Sequence, residues 1–230
     1  MHPTGLHPTL TLAFPTSSML PPSENCALHT YLTLPSILFP DKYQLSAPLF
    51  LASKNLRSIR SISGETDLEA PDWAITKWGS AMLIELHPPL QGPWQAGIPL
   101  HLRYLDSGAL GKAQAEIPWP VVFWACTAEE GSKMSNNPFD RVNLGYDGLF
   151  GPKTMFYHLT PEKNLSDGSE ILLERLQVPV LDTGKSHWVE TGTVIIIGLA
   201  LVWILGKLTL TVMNNSISFN RNPVDDRKRQ

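Results

Sequence analysis

Residues able to do chemistry are few and scattered along this chain. None of its seven histidines stands with Cys, Asp or Glu at a spacing that binds a metal. His101 falls in a strand-like alternation that would point its ring to solvent. Asp140, Asp147 and Gly148 have the residue types of a calcium loop but the wrong spacing, and read as an ordinary turn. The zinc-protease pair HExxH, the nucleophile elbow GxSxG, the phosphate-binding GxxxxGK[ST] and the dinucleotide GxGxxG are all missing. No catalytic residue, cofactor-binding residue or metal ligand is therefore assigned, and the chain is expected not to be an enzyme by itself. Two positions remain for covalent chemistry. Cys26 and Cys126 could pair in an oxidising compartment, closing a loop of about 100 residues, or could serve as two small buried thiols in apolar surroundings. Asn164-Leu165-Ser166 is a sequon in a polar stretch and could carry a glycan.

The elements around these residues read as short strands. Ala27–Leu34 and Ala81–Leu86 are apolar runs with β-compatible residues, and Val121–Cys126 is apolar on both faces, as inside a sandwich. Pro99–Leu105 alternates, with Leu100, Leu102 and Tyr104 expected in the core and His101, Arg103 and Leu105 opposite. Met155–Leu159 and Ile171–Val180 are further strand candidates. Leu49–Ser61 is the one stretch with helical spacing, through Leu49, Ala52, Leu56 and Ile59. Twenty prolines and sixteen glycines punctuate these runs, which defeats long helices and suits loops between strands. Most of Trp73, Trp78, Trp94, Trp119 and Trp124 are expected in a core or an interface. The fold class is mostly β: a β-sandwich-like domain followed by a single C-terminal transmembrane helix.

That helix is Thr193–Met213, whose 21 residues rise about 31 Å, close to the ~30 Å of a hydrocarbon core. Lys207 is its only charge, near enough to the C-terminal end for its stem to reach the headgroups. Arg221, Arg227, Lys228 and Arg229 follow the span, against Arg175 and Lys185 before it, so the tail is expected in the cytosol. Residues 1–192 then face the reticulum lumen or the outside. Arg227-Lys228-Arg229-Gln230 fits either a stop-transfer cluster or a dibasic retrieval signal. The sequon at Asn214 lies past the span and should stay unmodified.

The expected organisation is a Pro/Ser-rich leader over 1–25, a β-rich domain over 26–182, a stalk over 183–192, the span over 193–213 and a basic tail over 214–230. Thirteen basic and nineteen acidic residues precede the span, a net charge of about −6, without a basic patch interleaved with aromatics. Nucleic-acid binding is thereby unsupported. Met1–Pro22 has no basic start, and its apolar run Leu10–Phe14 is shorter than the roughly 7–15 residues of a signal core. The chain is accordingly expected to be the C-terminal part of a longer protein.

Three segments together resemble one family. They are Tyr31–Pro35 running into Phe39–Leu45, then Ile98–Leu105 (IPLHLRYL), then Pro118–Cys126 (PWPVVFWAC). Their order, followed by one span, is similar to the PIG-X family in its fungal form, over about Cys26–Met213. The resemblance implies a non-catalytic, stabilising subunit of the mannosyltransferase that adds the first mannose to glycosylphosphatidylinositol (GPI) anchor precursors at the endoplasmic reticulum membrane. It implies as partner a multi-span catalytic subunit, and no cofactor or small-molecule substrate of the chain's own. A membrane-tethered lumenal folding factor or binding module is the alternative.

Overall fold

The computed structural model describes residues 5–14, 20–65, 67–76, 78–88, 93–108, 111–127, 149–151, 153–161 and 172–220, with side chains as far as 214. The chain forms two compact units, Met1–Val180 and Leu181–Gln230.

The first unit is built on β2 (Cys26–Pro35), β4 (Leu56–Gly64), β5 (Gly79–Leu86), β9 (Val121–Thr127) and β10 (Thr154–His158). They make an open antiparallel sheet in the order β10-β9-β2-β5-β4. Alternation sorts its side chains: Leu28, Leu32 and Leu34 of β2 share an inner face with Met82, Ile84 and Leu86 of β5 and with Val122 and Trp124 of β9. Three two-stranded ribbons cover that face: β1 (Thr9–Phe14) with β6 (Trp94–Pro99), β3 (Leu38–Phe39) with β7 (His101–Leu102), and β8 (Lys112–Pro118) with β11 (Leu173–Pro179). Ile98, Leu38, Ile117 and Val178 carry the covering layer into one shared core. A sandwich results, with one continuous sheet and one segmented layer. Cys26 and Cys126 face each other across β2 and β9 and are joined by a disulfide.

Several expectations need correction. The β domain begins well before Cys26: Leu10 and Leu12, only 6% and 9% exposed, alternate along β1 into the core. Helical spacing over Leu49–Ser61 yields only the six-residue α1 (Pro48–Ser53), with Leu49 exposed. Asn55 takes a left-handed φ of 59° that terminates the turn, and the β-branched Ile59 and Ile62 then run in β4 beside β5. The alternation expected through Leu105 ends at Leu102. Leu100 and Leu102 are buried as expected, but Arg103 is also buried and Tyr104 is exposed. Trp124 is buried and Trp94 packs against the core, whereas Trp73 and Trp78 are exposed. Asp140, Asp147, Gly148, Asn164 and the basic residues of the tail lie outside the described residues.

The second unit is the helix α2 (Thr183–Asn220), whose 38 residues rise about 57 Å. It includes the stretch expected as a stalk. No residue of its most apolar window is buried, so the helix is long and apolar enough to cross a membrane and exposes that surface on every side. Two hydroxyls towards its C-terminal end bond within the helix: Thr209 Oγ1 donates to the Gly206 carbonyl at 2.9 Å and Thr211 Oγ1 to the Lys207 carbonyl at 2.8 Å. Lys207 Nζ lies 5.9 Å from the Trp203 ring centroid, within cation–π range.

Membership of β1 in the core sets the first test. Leu12→Asp should lower the stability of the intact chain in detergent by about 3–5 kcal/mol, the scale of an uncompensated buried charge. Ala13→Asp, one residue on and exposed, should cost about 1 kcal/mol or less. Urea unfolding followed by tryptophan fluorescence distinguishes the two, and equal midpoints would remove β1 from the core.

Candidate functional site

Two polar constellations depart from the apolar pattern of the sandwich. The first crosses the outer face of the five-stranded sheet. Strand register places His158, Phe123, His29, Glu85 and Ser58 side by side on β10, β9, β2, β5 and β4. His29 is buried, stacked on Phe123 with ring centroids 5.6 Å apart and met edge-on by Phe150 at 5.2 Å. Its Nδ1 donates to the Ala27 carbonyl at 3.1 Å. Burial holds this imidazole below its ordinary pKa; the Ala27 carbonyl and Glu85 oppose that shift, and Arg60 adds to it.

Glu85 accepts Ser58 Oγ at 3.1 Å and pairs with Arg57 at 3.2 Å and Arg60 at 3.7 Å. Its carboxylate is thus neutralised by two guanidinium groups, and the Ser58 hydroxyl is turned to Glu85. Proton abstraction needs a base within hydrogen-bond reach of its target. Here Ser58 donates to a carboxylate already neutralised by Arg57 and Arg60, and the His29 imidazole is committed to the Ala27 carbonyl. The row is suited to holding the sheet and packing Tyr31, Phe150 and Phe156 over Phe123.

The second constellation is centred on Arg103, which is 3% exposed. Its Nε donates to the Ser36 carbonyl at 3.0 Å, and its Nη1 to the carbonyls of Ala70, at 2.8 Å, and Asp67. The guanidinium lies 4.5 Å from the Phe39 ring centroid. Burial lowers the pKa of the group, and the carboxylates of Glu65, Asp67 and Asp72 counter it. These contacts hold one long loop, residues 65–78. The loop leaves the sheet at Gly64 and rejoins it at Gly79, with φ of 96° and 141°, and a Cβ at Gly79 would collide with the Leu34 carbonyl. Glu65 N donates to the Gly79 carbonyl at 2.9 Å across its base, and Asp72 N to the Tyr104 carbonyl at 3.0 Å.

Beside Arg103, His101 is half-buried rather than solvent-facing. Its Nε2 donates to Gln44 Oε1 at 3.1 Å, and its Nδ1 lies 3.0 Å from His7 Nδ1. Burial lowers the His101 pKa, His7 lowers it further, and Asp41 opposes both.

Cys26 and Cys126, expected either to pair or to remain buried thiols, are brought together; His101 and His158, to which no chemistry was assigned, lie in separate constellations. Among the described residues no three of His, Cys, Asp and Glu are grouped to hold a metal ion. Sequence reading missed the Arg103 loop. The bracketing Gly64 and Gly79, with Asp67, Pro71 and Asp72 between them, were its available signal.

The PIG-X family model, described as PIG-X / PBN1, matches residues 3–209, a range that includes the β domain and most of the apolar stretch. The protein pbn1 of Aspergillus fumigatus is 55% identical over 227 residues, covering 91% of this chain and 46% of that protein. The protein pbn1 of Emericella nidulans is 50% identical, covering 96% of this chain and 45% of its own. The protein PBN1 of Saccharomyces cerevisiae is 30% identical, covering 90% and 43% respectively. The chain thus spans less than half the length of these curated relatives. No solved structure matches it.

Two outcomes follow from the geometry. Arg103→Ala should destabilise the intact chain by about 3–5 kcal/mol, because carbonyls and carboxylates lose a buried cation. Arg57→Ala removes a largely exposed guanidinium and leaves Glu85 its Arg60 and Ser58 partners, so it should cost about 1 kcal/mol or less; urea midpoints and proteolysis within 65–78 read the difference.

The histidines set a pH dependence. An imidazole whose folded pKa lies below the ordinary 6.5 binds protons more readily in the unfolded chain. Its contribution is present above pH 6.5 and is lost as pH falls from there through the folded value. The urea midpoint should therefore fall between pH 7.5 and 5.5, and His29→Gln should flatten that slope; an unchanged slope would place the titration elsewhere.

Proposed function

The chain belongs to the PIG-X / PBN1 family, and we propose on that premise that it takes part in GPI-anchor biosynthesis as a non-catalytic, stabilising subunit of GPI mannosyltransferase I. The observation that carries this reading is the family match over residues 3–209, which takes in a folded β domain and an exposed apolar helix together. The subunit would reside in the endoplasmic reticulum membrane, with the β domain in the lumen and the basic tail in the cytosol. Asn164 would then be open to glycosylation. The partner would be the multi-span enzyme that transfers the first mannose. Open space around Gly198 and Gly206 allows a partner helix close backbone approach.

The alternative is a membrane-tethered lumenal folding factor or binding module, and the exposed Trp73 and Trp78 favour it. The two differ in what depletion does. For the stabilising subunit, depletion should lower the catalytic subunit's abundance and accumulate the GPI precursor lacking its first mannose. Extra catalytic subunit should relieve the defect in part, since a stabiliser acts on its partner by mass action. His101→Ala and His158→Ala should leave mannose transfer near normal at equal protein level. Loss of transfer with subunit levels unchanged would reject the non-catalytic reading. An unchanged pool of GPI precursors on depletion would reject the assignment to this step.

A further inference from the structure

Between Glu190 and Arg221 the chain carries one charge, Lys207. The uncharged run before it, 191–206, rises about 24 Å, short of the ~30 Å of a hydrocarbon core. A crossing that leaves Glu190 in water therefore takes Lys207 into the apolar layer. With the span over 193–213, its Cα lies about 9 Å inside the C-terminal end. A stem turned to the nearer headgroups would relieve that position, but the structure directs it the other way. Side chains on a helix lean toward its N-terminus, and Lys207 Nζ lies 5.9 Å from the ring centroid of Trp203, one turn earlier. The ammonium is thus held toward the middle of the span. An aromatic face meets one side of an ammonium and supplies no acceptor for its three donors. In hydrocarbon the group still requires a counter-charge.

The source of that anion can be narrowed. This helix has none: no Asp or Glu occurs between Glu190 and Asp225, and the positions one turn from Lys207 are Trp203, Ile204, Leu210 and Thr211. A second copy in the same orientation brings the same cation. Lipid phosphates lie at headgroup level, beyond the end from which the ammonium leans away. A carboxylate at the depth of Trp203 and Lys207 can be carried only by another membrane-crossing segment.

The face around Lys207 suits such a neighbour. Thr193, Ala200, Lys207 and Asn214 recur every seven residues and are all exposed. Seven residues fall only about 20° short of two turns, so the four form one stripe. Small and polar residues mark the faces along which membrane helices pack.

We propose that Lys207 is an intramembrane docking residue, whose ammonium pairs with an aspartate or glutamate on a transmembrane helix of another polypeptide packed along this stripe. The proposal rests on the preceding functional reading for the crossing of the membrane by α2 and for the identity of that polypeptide, the multi-span catalytic subunit.

The test uses the full chain in native membranes, with the catalytic subunit tagged. Lys207→Leu makes the span more apolar, so the variant should remain inserted at an unchanged level. Co-purification of the tagged subunit from digitonin extracts should nevertheless fall about tenfold, whereas Lys207→Arg, which keeps the charge, should retain it. Benzoylphenylalanine at Ala200, on the Lys207 face, should give on irradiation an adduct that peptide mapping places on a transmembrane helix containing Asp or Glu. At Leu205, on the opposite face, it should give none. Lys207→Glu should abolish co-purification, and changing the mapped carboxylate to lysine in the partner should restore it. Unchanged co-purification with Lys207→Leu would overturn the proposal. So would an adduct on lipid, on a second copy or on a helix free of Asp and Glu, equal adducts from 200 and 205, or a charge exchange that restores nothing. The unmodified chain reads the functional proposal separately. If it co-purifies with the catalytic subunit and Lys207→Leu does so equally, the pairing alone is rejected. If it does not, yet Ala200 labels an acidic transmembrane helix of another mapped protein and Lys207→Leu abolishes that label, the pairing stands and its partner is reassigned.

Discussion

One continuous sheet face has to be covered by a layer that is not itself continuous. Leu28, Leu32, Met82, Ile84 and Trp124 present a wide apolar surface on three adjacent strands. The opposing layer consists of three ribbons that share no ladder with one another. Backbone hydrogen bonds hold each ribbon together; β6 runs through Leu100 into β7 and Leu102 N donates to the Leu6 carbonyl, so the first two ribbons are joined by backbone, while shared core side chains set the β8–β11 ribbon beside them. The connections between this layer and the sheet must still be fixed by other means, or the layer would slide over it.

Arg103 supplies such a means at one end of the sandwich. A guanidinium with several donors in a rigid fork can tie carbonyls from different segments, here Ser36, Asp67 and Ala70. Desolvating the cation is unfavourable, and the nearby carboxylates of Glu65, Asp67 and Asp72 offset it. The outer face uses a different solution. There Glu85 sits between two arginines on the edge strand, while His29 stays neutral among aromatic rings. Each charged group in these two places has its compensation within a few residues of sheet or loop, so the fold tolerates polar side chains deep in its layers.

Legibility followed burial. Strands β2, β5 and β9 occupy the middle of the sheet, where packing on both sides demands long apolar runs, and those runs stood out. At the edge the signal was ambiguous: Leu49, Ala52, Leu56 and Ile59 fall on a helical spacing, yet Asn55 breaks the backbone between them and the second half pairs with β5. Strand β1 looked like a deficient signal core because its alternation is only six residues long. Arg103 was assigned to the wrong face for a more general reason. Period-two reasoning holds only while the strand continues, and no glycine or proline marks its end after Leu102. The exposed tryptophans were equally opaque, since indole rings serve cores and surfaces alike.

The bond between Cys26 and Cys126 spans a sequence separation of 100 residues. Such a cross-link is worth about 2–4 kcal/mol through the restriction it imposes on the unfolded chain. It also changes what a protease can achieve. The 65–78 loop, which exposes Trp73 and Trp78, falls inside the covalent circle. A cut there produces two polypeptides but not two molecules. The N-terminal piece, with β1 and the centre of the sheet, stays tethered through sulfur to the piece that carries the apolar helix, until a reductant releases it.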